Sequence, residues 1–199
     1  MKQLLNINSL ILKYSETQKG VFSLGDLKNL IGSKNKSHLY RILTKLSEAD
    51  IIQQYCRGFY VVKGFDLEVL SQRIAPKSYI SFGSVLSKHL IIGSVPNYRV
   101  LSVKLGPTRY YDNLSYKIEQ HSIKEDLFMG YITKKGVNIA SPEKAFLDIV
   151  YFYQKGMKLS FDIYSDIDFD AFDKNIVLDL LKHYKNNIFN SLVKKLINV

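Results

Sequence analysis

The residues best suited to recognition chemistry lie between Ser23 and Lys63. A helix is expected from about Lys36 to Ala49, because Leu39, Ile42, Leu43 and Leu46 fall together on a wheel of 3.6 residues per turn. Its opposite face then carries Ser37, Tyr40, Arg41 and Thr44, with Lys36 and Lys45 on the flanks and Lys34 just ahead. A guanidinium such as that of Arg41 offers paired planar donors that match guanine O6 and N7, and hydroxyls beside it bond phosphates or base edges. A solvated helix face would use the same residue types, so the next segment matters. In QQYCRGFYVV, β-prone residues flank Arg57-Gly58, which predicts a hairpin with an arginine near its tip. The chain has five arginines, at 41, 57, 73, 99 and 109, and two of them fall at these positions.

The elements that must position these side chains can be read in order. Leu4, Ile7, Ile11 and Tyr14 recur at helical spacing and predict an amphipathic first helix. Asn6, Asn8 and Ser9 interrupt its apolar run, so a secretory leader is not expected. Gly20 ends that helix. Ser23, followed three residues later by Asp26, resembles a capping box for a second helix striped by Leu24, Leu27, Leu30 and Ile31, and Gly32 supplies the turn. Helix, helix, turn, helix and hairpin is the outline of a winged helix-turn-helix over residues 1–64, a module that lays one helix in the DNA major groove. Charge agrees with a polyanionic partner. The net charge is +10, and residues 1–63 hold ten Lys/Arg against four acids.

Residues 65–199 read as a second domain. Asp66–Leu70 begins a connecting helix closed before Pro76; SYISFGSVLSKHLII is a short strand running into a helix; Tyr98–Leu105 and Arg109–His121 have strand character. Ile139–Tyr153 is the most distinctive stretch. Ser141 is placed to cap its helix, Pro142 sits at the first helical position, and apolar residues surround the rest, so Asp148 within it needs a partner. Two amphipathic helices end the chain, striped by Ile176, Val177, Leu180, Leu181 and Tyr184, then by Ile188, Leu192, Val193 and Leu196. The expected fold class is α+β, with a mixed α/β C-terminal domain holding a small antiparallel sheet and C-terminal helices.

Enzyme chemistry is harder to find. Asp166 and Asp168 resemble the paired aspartates of polymerase-β-type nucleotidyltransferases, but Gly156 is followed by Met157 where a Gly-Ser turn would stand. A calcium loop opening at Asp166, Asp168 and Asp170 would put Ala171 and Val177 where glycine and glutamate belong, so helix-capping aspartates are the better account. Histidines 38, 89, 121 and 183 show no metal-ligand spacing, and there is no phosphate-cradling glycine loop or nucleophile elbow. No enzyme, cofactor or metal is expected. One cysteine, Cys56, and no apolar run long enough to span a membrane point to a cytoplasmic protein.

As a whole the chain resembles the AbiEi antitoxin family of type IV toxin–antitoxin systems, associated with abortive infection and phage defence. The resemblance is carried by the winged-helix outline, by Tyr79-Ile80-Ser81 leading to Ser84-Val85-Leu86 and His89, and by Gly106-Pro107-Thr108-Arg109. It is carried above all by Ile139-Ala140-Ser141-Pro142-Glu143-Lys144-Ala145-Phe146-Leu147-Asp148. Leu90 departs from the pattern, since relatives often have glycine after the histidine. The resemblance implies a repressor of its own operon that binds inverted repeats in promoter DNA, aided by dimerisation there. It also implies an antitoxin that neutralises a cognate nucleotidyltransferase-like toxin without a stable complex. Lys104, Arg109, Lys117 and Lys124 are the candidates for the neutralising surface. A plain winged-helix regulator, whose C-terminal domain dimerises or senses a ligand, is the alternative, and a nucleotidyltransferase using Asp166 and Asp168 is a further one.

Overall fold

In the computed structural model, which describes residues 2–199 and side chains from Leu4 onward, the chain forms eight α-helices and two β-sheets. Helix α1 (Lys2–Gln18) buries Ile7 and Ile11, while Tyr14, expected on the same stripe, is exposed. Lys19 and Gly20 both take positive φ and stop it. The Gly20 backbone then passes so close to Phe65 that a Cβ there would stand 2.8 Å from the Phe65 Cα. Strand β1 (Val21–Ser23) feeds α2 (Leu24–Ile31) through the expected capping box: the Asp26 N–H donates to Ser23 Oγ and the Ser23 N–H to the Asp26 carboxylate. Gly32, at φ 68°, closes α2. Asn35 caps α3 (Lys36–Glu48), which leads to strands β2 (Gln53–Cys56) and β3 (Phe59–Val61). The strands form an antiparallel sheet in the order β1-β3-β2. Ile7, Ile11, Phe22, Leu27, Leu39, Ile42, Leu43, Leu46, Ile52 and Tyr60 close a core of their own.

Helix α4 (Leu67–Ile74), capped by Asp66, leads into a second sheet. Its strands are β4 (Ser78–Ile80), β5 (Arg99–Lys104), β6 (Arg109–Asn113), β7 (Tyr116–Ser122), β8 (Tyr131–Lys134) and β9 (Val137–Ala140), in the order β6-β7-β5-β4-β9-β8. The expected small antiparallel sheet is therefore wrong. The sheet has six strands and is mixed, because β7 rather than β6 pairs with β5, in parallel, and β9 returns parallel to β4. Two-residue turns at Leu114-Ser115 and Lys135-Gly136, with φ positive at both positions, make β6–β7 and β8–β9 tight hairpins.

Helix α4 covers one face of this sheet, where Gln120 donates to the Ser71 carbonyl at 2.9 Å. On the other face lie α5 (Gly83–Lys88) and α6 (Pro142–Tyr153), and the rings of Phe82, just ahead of α5, and of Phe152 on α6 meet His121. Leu90 closes α5 in the left-handed region, at φ 58°. Ser141 caps α6 and Pro142 opens it, as expected. Helices α7 (Lys174–Leu181) and α8 (Asn187–Leu196) pack on α6. The predicted stripes are shifted at two positions. Ile176 and Ile188 face outward, and Phe189 is buried where Ile188 was expected. Among the described residues no helix is long and apolar enough to cross a membrane.

Candidate nucleic-acid interface

The face of α3 away from the core is open. Leu39, Ile42, Leu43 and Leu46 are buried, while Lys34, Lys36, Ser37, Tyr40, Arg41, Thr44 and Lys45 are all exposed. None of the four cations in this set has a carboxylate within ion-pair distance among the described residues. Thr44 donates its hydroxyl hydrogen back to the Tyr40 carbonyl at 3.0 Å, which leaves its oxygen free to accept. The turn before the helix is held by Ser33, which bonds the Asn35 carbonyl and contacts His38 Nδ1 at 3.1 Å. A hollow of about 310 Å³ lies between this turn and the start of α2, lined by Leu24, Lys28, Lys34, Lys36 and Tyr40 among others. Lys28 is a cation that the sequence reading passed over. It sits on α2, outside the helix on which that reading concentrated.

Arg57 stands exposed in the β2–β3 turn, with Gly58 beside it at φ 85°. The turn is anchored rather than loose, since the Gly58 carbonyl accepts from the Leu24 N–H at 2.8 Å. Cys56, half-buried in β2, is pushed up by burial and stays a thiol, which fits a strand residue better than a redox sensor.

This N-terminal part is tied to the second sheet. Arg73 on α4 bonds the Gln18 side chain, the Val21 carbonyl and the Asp26 carboxylate. Tyr55 on β2 donates its hydroxyl to the Tyr116 carbonyl at 3.0 Å, and Asn113 on β6 donates to the Tyr55 carbonyl at 2.9 Å. Phe65 meets the Tyr116 ring edge-on at 4.9 Å.

The four candidates for a neutralising surface do not share one face. Lys104 and Arg109 lie near each other on the α4 side of the sheet, where partial burial, followed by the charge of Arg109, pulls the Lys104 ammonium down. Lys117 is on the opposite side, at the other end of β7, paired with Asp112 at 3.0 Å. Lys124 is exposed beyond β7, at the start of a single 3-10 turn.

Asp166 and Asp168 sit in turns rather than on a strand. Asp166 accepts from the Asp162 N–H and Ser165 Oγ, and Asp168 caps a 3-10 turn through the Asp170 N–H. Asp162 and Asp173 serve neighbouring backbone N–H groups in the same way, so these carboxylates are structural caps. No group of three or more metal-ligating side chains occurs among the described residues.

Asp148 finds the partner that the sequence demanded. It is fully buried on α6, ion-paired with the equally buried Lys144 one turn earlier, and accepts from Ser81 Oγ at 2.8 Å. Burial pushes the Asp148 carboxyl up, against the pull of Lys144 and Ser81. Lys144 also donates to the Tyr184 hydroxyl at 2.9 Å, and its ammonium lies 5.6 Å from the Tyr79 and Tyr184 ring centres. The Lys144 stem runs against Gly130, where a Cβ would stand 3.0 Å away. The i,i+4 spacing of Lys144 and Asp148 was the available signal for this pair.

No family model matches the chain, and no curated protein matches it in sequence.

Proposed function

We propose that this chain is a DNA-binding repressor joined to an antitoxin of the type IV, AbiEi-like kind. The observation that carries the first half is α3: an exposed face of Ser37, Tyr40, Arg41 and Thr44, with Glu48 as the one carboxylate at its C-terminal end, flanked by lysines that make no ion pair among the described residues, on a helix fixed by its buried leucines. In this reading residues 1–64 are a winged helix-turn-helix. Helices α2 and α3 form the paired helices, α3 lies in the major groove, and the β2–β3 hairpin is the wing that brings Arg57 to the backbone or minor groove. Lys34, Lys36 and Lys45 hold phosphates, and Arg41 reads a guanine.

For residues 65–199 the reading rests on the resemblance of Ile139–Asp148 to the AbiEi pattern. Four residues of that pattern have a definite task here: Ser141 caps, Pro142 starts the helix, and Lys144 and Asp148 hold each other in the core. This part would counter a nucleotidyltransferase-like toxin without holding it in a stable complex.

The test for the first half is a mobility shift with DNA from upstream of the protein's own gene. Arg41→Ala is expected to weaken specific binding by about 1–3 kcal/mol. Unchanged affinity would show that α3 is not the reading helix. For the second half, the full chain is co-expressed with the product of its neighbouring gene, which this reading expects to be nucleotidyltransferase-like. Restored growth is expected, and continued growth arrest at equal expression would remove the antitoxin reading.

A further inference from the structure

A second basic site lies on the opposite half of the chain, and three separate segments build it. Its walls are the 3-10 turn at Glu125–Leu127, the C-terminal end of α6, and the α7–α8 connection. They enclose a cleft of about 420 Å³, within the range of small-ligand sites. Lys124, Lys155 and Lys185 come to it from the three segments, and His183 joins them. None of these lysines has a carboxylate within ion-pair distance among the described residues. Asp126 is the acidic residue in the lining, so the cleft keeps an excess of positive charge. Low-dielectric walls concentrate such a field, and a cleft of one sign raises the local concentration of counter-ions.

The cleft is firmly built. Its floor is Tyr184 and Phe189, stacked at 4.6 Å and both buried. Tyr184 is held from beneath by Lys144, and its carbonyl accepts from Asn190 at 3.0 Å. Lys155 lies over the Tyr151 ring at 4.1 Å and donates to its hydroxyl at 2.7 Å, which fixes the ammonium with two N–H groups still free. The N-terminus of α8 and the C-terminal end of α6 both meet the cleft, and their dipoles oppose. The lysines therefore set its sign.

We propose that this cleft binds the polyphosphate chain of a nucleotide. Three ammonium groups on separate walls suit an anion with several charges spread along a short chain, and the volume suits one nucleotide rather than a folded partner. The proposal stands on the C-terminal half alone and does not depend on the DNA or antitoxin readings.

The test uses the full chain and a fluorescent ATP analogue followed by anisotropy, with ATP, GTP, pyrophosphate, AMP, adenosine and a single-stranded oligoribonucleotide as competitors. Competition should follow phosphate number, with adenosine inactive; pyrophosphate matching ATP would support a site that reads phosphates alone. Lys124→Glu/Lys155→Glu/Lys185→Glu is expected to weaken binding about tenfold or more, since each reversal removes an attraction and adds a repulsion. Lys134→Glu/Lys135→Glu/Lys195→Glu carries the same change of charge on exposed sites outside the cleft and should change affinity less than threefold. A circular-dichroism melt checks that both triple variants fold, and the single changes Lys124→Ala and Lys185→Ala, each expected to weaken binding severalfold, serve if the cleft triple does not. No binding of ATP at millimolar concentration, equal losses in the two triple variants, or competition by adenosine would overturn the proposal. A preference of tenfold or more for the oligoribonucleotide over ATP would assign the cleft to RNA instead.

Discussion

Separating Lys144 from Asp148 should be one of the most damaging changes the core can suffer, and replacing both should be far less so. Both side chains are fully buried on α6. With Lys144→Met, the Asp148 carboxylate keeps the Ser81 hydroxyl as a donor and loses the opposing charge of Lys144. With Asp148→Leu, the Lys144 ammonium keeps the Tyr184 hydroxyl oxygen and the faces of two rings but no carboxylate among the described residues. Breaking a buried pair in this way costs about 3–5 kcal/mol, a large part of the roughly 5–15 kcal/mol that holds a domain folded. For a chain of this size, that is a fall in Tm of roughly 10 °C. The double variant Lys144→Met/Asp148→Leu removes both desolvation costs together and substitutes apolar groups of similar length. Its stability should lie closer to the parent than either single variant does, which gives a coupling of about 2 kcal/mol or more in a double-mutant cycle. Urea unfolding followed by circular dichroism, with constant m values, supplies the four free energies. Single variants that lose less than about 1 kcal/mol, or costs that simply add, would refute the argument, because the pair would then be hydrated or energetically independent.

Three further outcomes are expected. Lys36→Ala should weaken specific and random DNA alike and lower the slope of log affinity against log salt by about one, as measured by titration at several salt concentrations. At Asp26, burial pushes the carboxyl up, but the Ser23 N–H, the Ser23 hydroxyl and Arg73 outweigh it and hold the carboxyl below its ordinary 3.8. A carboxyl lowered in the folded state adds stability above its unfolded value and loses it as pH falls through the folded value. The stability gap between the parent and Asp26→Asn should therefore be full above about pH 5 and narrow as pH falls below the ordinary 3.8 through the folded value; a gap that stays constant down into strong acid would contradict this. Leu90→Gly should raise stability by roughly 0.5–1 kcal/mol in urea unfolding. The left-handed conformation costs a non-glycine residue about 1–2 kcal/mol, the extra chain entropy of glycine returns part of it, and the 88% exposed side chain has little packing to lose.

What the sequence made legible was local. The capping box of Ser23 and Asp26, the Ser141 cap, the buried stripe of α3 and the Arg57-Gly58 turn each depend on residues within one or two turns of each other, and each is where it was expected. The six-stranded sheet was not legible. Its two parallel pairings join Ile80 to Ile139 and Val100 to Ile118, and nothing in a short window announces such a partner. Strand β8 was missed because it is an edge strand, with Ile132 exposed and its neighbours polar. The Leu114-Ser115 turn lacks glycine, so its tight geometry carries no compositional mark. The same limit applies to sites. The face of α3 could be drawn from one helix, whereas the cleft of Lys124, Lys155 and Lys185 exists only once three distant segments have been folded together.

The order in which the two cores are completed along the chain has a consequence during synthesis. Every residue of the first core lies between Ile7 and Tyr60, so its last contributor leaves the ribosome with more than two thirds of the chain still to come. The second sheet cannot close until β9 has emerged to lie beside β4, because β4 holds the central place between β5 and β9. At ordinary rates of about 5–20 residues per second, the interval is roughly 4–16 s. For the later part of it the β4 edge that will receive β9 waits unpaired, while the first core is already complete. A nascent chain of this protein therefore has α3 and its exposed basic face in place before the rest of the molecule exists to restrain it, and a ribosome that stalls between the two cores leaves behind a fragment with the first half's surface and none of the second's.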